Sequence, residues 1–542
     1  MSGARVRSFW TWGFTSDEPS DAQRKAFAKD LSERSGKTVA VPPIPDLADI
    51  QLRKSRIKIP SELSDWTSTD KHERVVHTYG GHTLELLKAL RGVFDYPPDA
   101  VAHPENEEQL ERTLAWCDSN GYCAIPYGGG TTVVHGVSVP EQAEAAVSID
   151  LDCLDRVLEI DPMSRAARIQ AGIFGPSLED ALRPQGFTLR HFPQSFPWST
   201  LGGWIATRSG GHYATNHTHI DDFVESVRML SPSGWWESRR LPGSGAGPSP
   251  DRLVLGSEGI LGVISEAWMR IQKRPQYRAT AGVIFPDWES GCDAARCIAQ
   301  AKLWPANLRL LDPLEAKRGA ALDGQHALLI IGFESAEIPQ GPFIAEAIRL
   351  ARDCRGEIRE EDIHISDGAQ GGSLESSGKA TGRSGAVGAW RDAFIGVNAG
   401  VTNGLGLVAD TFETAITWDK WPAFDALVRS KVGTVLQQVL GDAASLSCRF
   451  THVYPDGPAP YYTFSGPGEI GAEAEQWQAI KDAANEALIT GGGTITHHHA
   501  VGRMHAEGWQ QQVPELFQTA LRGVKKNLDK NAILNPGVLF NP

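Results

Sequence analysis

A glycine-rich stretch, PYGGGTTVVHG at residues 126–136, most constrains how this chain can fold. It begins at the end of a segment, residues 99–127, whose pattern predicts a short strand, a capped helix and a second strand. Three successive glycines allow backbone N–H groups to crowd around one point, because no Cβ atom blocks the approach. The stretch therefore predicts either an anion cradle at the end of a strand or a tight turn between two strands.

Two similar stretches follow along the chain. The sequence QSFPWSTLGGWIATRSGG, residues 194–211, combines paired glycines with serine and threonine hydroxyls. The sequence LGSEGILGVISEAWMRI, residues 255–271, places small residues around the acidic Glu258. Three glycine-rich stretches in one region are more than chain turning requires, so together they favour a binding role over simple turns.

The length of the chain, 542 residues, predicts two or three domains, because a single hydrophobic core does not grow to that size. Residues 1–90 are predicted to form a helical N-terminal segment, and residues 91–275, which carry the glycine stretches, an α+β domain. Residues 276–502 are predicted to form a second, α/β domain, and residues 503–542 a C-terminal segment that returns to the first. Within the second domain, residues 366–388 are rich in Gly and Ser and predict a mobile loop or lid.

Composition predicts a soluble globular protein and excludes one class of partner. A net charge of -14 argues against binding to nucleic acid, although it leaves open apolar docking on a membrane surface. No apolar run approaches the roughly 20 residues that a membrane-spanning helix needs. The seven cysteines form no CxxC pair, and the first residues, MSGARVRSFWTWGF, lack the apolar core of a signal peptide. These features predict a cytoplasmic protein with reduced thiols.

Three adjacent histidines, His497 to His499 in GGGTITHHHAVGR, are candidates for chemistry. Their segment, residues 494–499, is predicted to be a strand, which would turn His498 away from the other two. Adjacent histidines in a strand lack the spacing that lets metal ligands converge, and no carboxylate lies nearby in sequence, so no metal site is predicted. Because the unperturbed histidine pKa lies closest to neutrality, at least one of the three is predicted to act as a general acid or base.

Two further candidates lie in predicted strands. In PAPYYTF, alternation separates Tyr461 from Tyr462, so one faces the core and the other a cavity. A phenol can exchange a proton there if a neighbouring cation lowers its pKa. In NLRLLD, Arg309 is a charge between apolar strand residues. It either pairs with a carboxylate such as Asp312 or grips a phosphate or carboxylate of a substrate.

The order of the three glycine stretches resembles the flavin domain of the vanillyl-alcohol oxidase superfamily. The second half of the chain resembles, in order and spacing, the alkyldihydroxyacetonephosphate synthases, flavoenzymes that make ether lipids. The stretches that carry this second resemblance are ANLRLLD, DTFETAITWDK, CRFTHVYPDGPAPYYTF and GGGTITHHHAVGR. The resemblance implies an α+β fold, with a vanillyl-alcohol oxidase-type FAD-binding domain, a second α/β cap domain for the substrate and the helical N-terminal segment.

The resemblance also implies FAD as the cofactor and indicates which residues hold it. Around the diphosphate it implies Pro126, Gly128, Gly129, Gly130, Thr131 and Thr132. Along the flavin it implies Gln194, Ser195, Ser199, Thr200, Gly203, Thr207 and Ser209. At the adenosine end and the ring it implies Glu258, Gly259, Gly262 and Ile264. Members with covalent flavin carry a histidine directly after the glycine pair, where this chain has Thr131, so non-covalent FAD is expected and His135 is interpreted as a packed or solvated loop residue.

The resemblance implies that the enzyme exchanges the acyl group of acyl-dihydroxyacetone phosphate for a fatty alcohol, with no net transfer of electrons. In that reaction Tyr461 and His498 would move protons, Arg309 would hold the substrate, and His497 and His499 would tune or position. The alternative is an FAD-dependent dehydrogenase or oxidase of a 2-hydroxy acid or alcohol, since the same groups suffice for it. A small-molecule lipid substrate and a homodimer are expected.

Overall fold

The computed structural model describes residues 6–35, 38–213, 219–367 and 400–540. Apart from its first two residues, the glycine- and serine-rich segment 366–388, predicted to be a loop or lid, lies outside the described residues. The chain begins with a polar segment that contains three short or medium helices. These helices are α1 (Asp21–Ser35), α2 (Lys71–Val76) and α3 (Thr83–Leu90).

A small mixed sheet follows the first helices and carries the first glycine stretch. Its strands are β1 (Thr67–Ser68), β2 (Ala100–Ala102), β3 (Cys123–Tyr127) and β4 (Ala146–Asp150), in the spatial order β1-β2-β4-β3. Strands β2 and β3 both run parallel to β4. Helix α4 (Glu107–Asn120) connects β2 to β3, begins at the Asn106 cap and ends at Gly121 in the left-handed conformation. The glycine stretch therefore starts at the carboxyl end of a parallel strand.

An antiparallel sheet of five strands completes the first domain, in the spatial order β5-β6-β10-β8-β9. The strands of this region are β5 (Val157–Asp161), β6 (Ala166–Gln170), β7 (Phe187–Thr188), β8 (Val224–Ser231), β9 (Gly234–Glu237), β10 (Val263–Arg270) and β11 (Gln272–Lys273). Strands β7 and β11 pair with each other. The helices are α5 (Gly175–Leu182), α6 (Leu201–Thr207) and α7 (Pro250–Val254). One hydrophobic core joins both sheets, because Ile149 of β4 and Ile169 of β6 belong to the same cluster.

The second half of the chain forms a seven-stranded antiparallel sheet in the order β15-β12-β14-β13-β17-β18-β16. Its strands are β12 (Tyr277–Phe285), β13 (Asn307–Leu311), β14 (Ala327–Ser335), β15 (Ile363–Asp367), β16 (Leu407–Glu413), β17 (Ser445–Val453) and β18 (Pro458–Pro467). Its helices are α8 (Trp288–Gln300), α9 (Pro313–Ala320), α10 (Gly341–Asp353), α11 (Trp421–Leu440) and α12 (Glu473–Thr490). Leu308, Leu310 and Tyr462 pack with helices α8, α10, α11 and α12 in one core, which leaves Arg309 and Tyr461 on the other face.

The last residues contain helices α13 (Ala506–Gln512) and α14 (Glu515–Leu528) and then contact the first sheet. The Ala124 N–H donates to the Ile533 carbonyl at 2.9 Å, and the Asn535 N–H donates to the Ala124 carbonyl at 3.0 Å. The mixture of parallel and antiparallel sheets with helices is the α+β class that the sequence predicts. Within the described residues, no helix combines the length and the apolar character that crossing a membrane requires.

Candidate active site

A cleft lies between the glycine stretches of the first domain and the face of the seven-stranded sheet that carries Arg309. Its cavity volume is about 440 Å³, within the range of roughly 300–1,000 Å³ that is usual for cofactor and small-molecule sites. Every residue that the resemblance assigned to FAD borders this cleft. These residues are Pro126, Gly128, Gly129, Gly130, Thr131, Thr132, Gln194, Ser195, Ser199, Thr200, Gly203, Thr207, Ser209, Glu258, Gly259, Gly262 and Ile264.

The first glycine stretch packs so tightly that it has no room for side chains. A Cβ atom on Gly129 would lie 1.8 Å from the Trp198 carbonyl oxygen, so the first and second stretches touch through their backbones. Gly130 has a φ of +66°, and a Cβ there would lie 2.0 Å from the Tyr127 hydroxyl. Bare backbone therefore borders the cleft at this point, which suits the close approach of a diphosphate and fits the predicted FAD.

His135, four residues beyond Thr131, is directed elsewhere. Its Nδ1 lies 2.8 Å from Glu85 Oε1, and its φ of 58° belongs to a tight turn. Thr131 itself borders the cleft. The geometry at both positions agrees with the interpretation of His135 as a packed loop residue.

Glu258 of the third stretch links the first domain to the histidine segment. Its buried carboxylate accepts the Val501 N–H at 2.9 Å and the Gly502 N–H at 2.8 Å. Burial raises the pKa of Glu258 to about 7, although these two hydrogen bonds oppose the shift. Glu258 therefore anchors the chain directly after the three histidines. Its predicted role toward FAD stays a prediction.

Sheet register brings three polar side chains into one row across neighbouring strands. Arg449 of β17 is the cross-strand partner of Tyr461 of β18, which is in turn the partner of Glu413 of β16. Residues that are directly opposite in an antiparallel pair present their side chains on the same face. All three border the cleft. Neither Arg449 nor Glu413 was predicted from the sequence as a site residue.

Arg309 is buried at the cleft on the same sheet face. Burial, together with the positive charge of Arg449, lowers the pKa of Arg309 to about 9. Asp312, the partner offered by the alternative interpretation, instead caps helix α9 by accepting the Glu315 N–H at 2.9 Å and pairs with Arg429 at 3.3 Å. Arg309 and the part-buried Arg449 bring two guanidinium groups to one cleft, an arrangement that suits an anionic ligand.

Tyr461 faces the cleft, whereas Tyr462 points into the core and donates its hydroxyl to Asp425 at 2.8 Å. The Tyr461 hydroxyl donates to Thr411 Oγ1 at 3.0 Å, and its ring stacks on His498 with centroids 5.9 Å apart. Burial raises the pKa of the Tyr461 phenol, and this effect exceeds the opposing influence of the Arg449 charge. The condition of a lowered phenol pKa is therefore not met, and the Tyr461 phenol is in its protonated form at neutral pH.

The predicted strand over residues 494–499 is wrong, because this segment is a series of bends. Its course follows the buried carboxylate of Glu413, which accepts the backbone N–H groups of His497, His498 and His499 at 2.8 to 3.1 Å. The Thr496 hydroxyl donates to the same carboxylate at 2.6 Å. A buried carboxylate requires donors, and a loop can direct consecutive N–H groups to one point where a strand cannot.

The three imidazole rings consequently converge instead of alternating. The Nδ1 atoms of His497, His498 and His499 lie 3.8, 3.3 and 3.8 Å from the Glu413 carboxylate. Burial opposes ionisation of Glu413, but the charges and hydrogen bonds of the histidines outweigh it and hold its pKa well below the usual value. Burial also opposes ionisation of the imidazoles. It lowers the pKa of His499 to about 4 and that of His497 well below its usual value.

Four of the five predicted catalytic residues, Arg309, Tyr461, His498 and His499, border the cleft. His497 lies behind them, where its Nε2 is 2.8 Å from the Tyr454 hydroxyl.

Polar residues of the cleft that were not predicted from the sequence include Arg449, Glu413, His452 and Lys481. The buried Lys481 of helix α12 donates its Nζ to the Thr411 carbonyl at 2.7 Å. For Arg449, His452 and Glu413, a sequence signal was available, because each is a polar residue inside an otherwise apolar strand, as in CRFTHV and DTFE.

Comparison with known proteins agrees with these features. The family model described as the FAD binding domain matches residues 98–238, and that of the FAD linked oxidases, C-terminal domain, matches residues 274–539. The chain is 31% identical over 477 residues to an alkyldihydroxyacetonephosphate synthase of Caenorhabditis elegans, covering 83% of this chain and 77% of that protein. It is 28% identical to that of Dictyostelium discoideum over 498 residues, 89% of this chain and 79% of the relative.

A solved alkyldihydroxyacetonephosphate synthase structure superimposes with a TM-score of 0.77 at 21% identity, covering 98% of both chains. This likeness, together with the two domain matches, confirms the predicted vanillyl-alcohol oxidase-type fold.

Proposed function

The chain belongs to the alkyldihydroxyacetonephosphate synthase family of FAD-dependent enzymes, and on this basis we propose that it exchanges the acyl group of acyl-dihydroxyacetone phosphate for a fatty alcohol. The observation that carries the proposal is that Arg309, Tyr461 and His498 border one cleft together with the three glycine stretches. When bound, FAD supplies the covalent flavin chemistry that allows a carbon–oxygen bond to break and re-form without net electron transfer. The protein's own residues supply binding, orientation and proton transfer.

Arg309 and Arg449 would hold the phosphate of the substrate. Arg309 is buried and Arg449 is part-buried on one sheet face at the cleft, so water screens their charges less than on an open surface. Arg449 is held in place by Glu315 at 3.2 Å and by the Tyr461 ring, whose centroid lies 4.1 Å from its guanidinium carbon. A bound phosphate would offset the repulsion between the two guanidinium groups. Relief of this repulsion would favour substrate binding and would stabilise the folded site.

Tyr461 and His498 would carry the protons of the exchange. The incoming alcohol must lose one proton, and the departing carboxylate can accept one, so the exchange is balanced overall. The His498 imidazole would accept the alcohol proton, and the protonated phenol of Tyr461 would donate at the leaving oxygen. Their rings stack with an interplanar angle of 22°, so both groups can act on one bound molecule.

Anaerobic turnover separates the proposed transferase from an FAD-dependent dehydrogenase or oxidase. A transferase begins and ends in the same redox state, so the enzyme should convert acyl-dihydroxyacetone phosphate and a labelled long-chain alcohol into labelled ether repeatedly without an electron acceptor. The measurement is labelled ether per enzyme under argon. The proposal would be contradicted if no ether formed while a 2-hydroxy acid or alcohol bleached the flavin absorbance stoichiometrically.

Replacing Arg309 with Lys should weaken substrate binding by about 1.5–3 kcal/mol, because Lys keeps the charge but loses the planar fork. KM for the acyl substrate should rise and the FAD content should stay normal. Arg429→Lys is the matched control, since Arg429 pairs with Asp425 at 3.0 Å, and its KM should match that of wild type. Loss of FAD in Arg309→Lys would instead indicate a structural role.

FAD should be bound non-covalently. Thr131 borders the cleft at the position of the linking histidine, and His135 contacts Glu85. Precipitation with acid or heat should therefore release all of the yellow chromophore into the supernatant, measured by visible absorbance. A yellow precipitate after washing would refute this prediction and direct attention to another attachment residue.

The cytoplasmic location, the homodimer and the contact with a membrane surface stay predictions, as do the domain boundaries.

A further inference from the structure

Three imidazole rings from two separate segments converge beside the cleft. His452 comes from strand β17, and His497 and His498 come from the histidine loop. One ring nitrogen from each residue lies within 4.8 Å of the other two. The Nδ1 atoms of His497 and His498 are 3.1 Å apart. His452 and His498 both border the cleft, so a small solute can reach the group.

We propose that His452, His497 and His498 form a binding site for a divalent transition-metal ion of the zinc type. A tetrahedral zinc ion takes histidine nitrogens at about 2.0–2.1 Å, which places neighbouring ligand atoms roughly 3.3 Å apart. The two Nδ1 atoms of His497 and His498 already have nearly this separation. Three imidazoles suit zinc, copper or nickel, whereas magnesium and calcium prefer oxygen ligands. Water from the cleft would complete the coordination.

Partners of two of the rings support this site. His497 Nε2 lies 2.8 Å from the Tyr454 hydroxyl, and His452 Nε2 lies 3.3 Å from the Gly211 carbonyl oxygen. The Glu413 carboxylate lies beside the site itself, because its Oε2 is 3.3 Å from Nδ1 of His498, the nitrogen that would bind the ion. Such contacts orient imidazole ligands toward a metal, and the buried carboxylate offsets part of the charge of the ion.

Another cluster of histidines and carboxylates carries its own cations and is less suited to a metal. His103 bridges Glu73 at 3.0 Å and Asp152 at 2.9 Å, with both ring nitrogens engaged. The guanidinium of Arg7 lies 2.7 Å from Asp150 in the same cluster. A metal there would have to displace several ion pairs, whereas at His452 it would displace the contact between two imidazoles and the contact of the His498 ring with Glu413.

A bound ion would occupy the His498 ring that the proposed proton transfer uses, and it would therefore inhibit the enzyme. The test measures binding itself, so its outcome does not depend on which reaction the enzyme catalyses.

Isothermal titration of FAD-loaded protein without a histidine tag, with zinc chloride, should detect one ion bound per chain. His452→Asn should weaken binding about tenfold or more. The matched control is His499→Asn, because His499 lies on the same loop near the same carboxylate but outside the three ligands. It should bind zinc within about twofold of wild type. Equal affinity of wild type and His452→Asn, or equal weakening in both variants, would overturn the proposal.

Crystals of the wild-type holoenzyme soaked in zinc chloride give a second measurement that does not require a variant to fold. Anomalous scattering should locate an ion at about 2.0–2.1 Å from one nitrogen of each of the three histidines. Anomalous density only at other positions, or none, would contradict the proposal. Soaking in magnesium chloride should leave the three imidazoles without an ion, and a magnesium ion bound there would also contradict it.

Discussion

Turnover is expected to fall by about 10²- to 10⁴-fold when Tyr461 is replaced by Phe or His498 by Ala, while FAD stays bound. Each change removes a group assigned to proton transfer and leaves the glycine stretches unchanged. Tyr461→Phe also keeps the ring that stacks on His498 and contacts Arg449, and it loses only the hydroxyl that donates to Thr411. The measurements are the steady-state rate of ether formation and the FAD-to-protein ratio.

Tyr462→Phe is a matched control for the first of these changes. Tyr462 is the next residue on the same strand, but its hydroxyl donates to Asp425 in the core. Its removal should cost about 1–2 kcal/mol of stability and leave turnover near that of wild type. If Tyr461→Phe retained turnover, or if both variants lost it equally, the assignment of Tyr461 to proton transfer would fail.

The sequence predicted those parts of the site that depend on short segments. The glycine stretches are of this kind, because their need for backbone without side chains is written in consecutive residues such as Gly128 to Gly130. The residues assigned to FAD consequently border one cleft. Arg309 was also recognisable, since a charge between Leu308 and Leu310 on a strand must face away from their core.

Sites that depend on strand register could not be predicted in the same way. The row of Glu413, Tyr461 and Arg449 exists because β18 pairs with both β16 and β17 at a particular register. A shift of one residue would turn each side chain to the other face of the sheet. Nothing in the local sequence of the three strands determines that register, so Glu413 and Arg449 were missed.

The histidine segment shows how a distant residue overrides a local pattern. The sequence TITHHH has the β-branched residues of a strand, and on that basis His498 should have faced away from its neighbours. The carboxylate of Glu413 instead collects the N–H groups of all three histidines. Glu413 lies 84 residues before His497, so no carboxylate near the histidines in the chain points to this contact.

Glu413→Gln is expected to reduce turnover by about 100-fold or more, the effect of misplacing reacting groups by roughly 1 Å. The amide is of equal size but carries no charge, and its NH₂ group would confront backbone N–H donors that now point at an oxygen. The loop of His497 to His499 would have to move. Asp410→Asn is the matched control, because Asp410 lies on the same strand and borders the same cleft but accepts from Trp477 at 2.6 Å. Equal losses in both variants would contradict this specific role.

The same substitution should lower the thermal midpoint of unfolding, because it leaves buried donors poorly satisfied at a cost of about 3 kcal/mol or more. The pH dependence of this midpoint distinguishes the effect of the lost charge from the effect of a changed side-chain shape. The folded-state pKa of Glu413 is held well below its ordinary value of 4.5, so its ionised form contributes stability that is fully present above that pH and is lost as the pH falls through the folded-state pKa. Glutamine does not titrate, so the difference in midpoint between wild type and Glu413→Gln should be constant above about pH 4.5 and shrink only in more acidic solution. A difference that stayed constant down to the acid unfolding of the wild type would show that the charge of Glu413 does not hold the histidine loop.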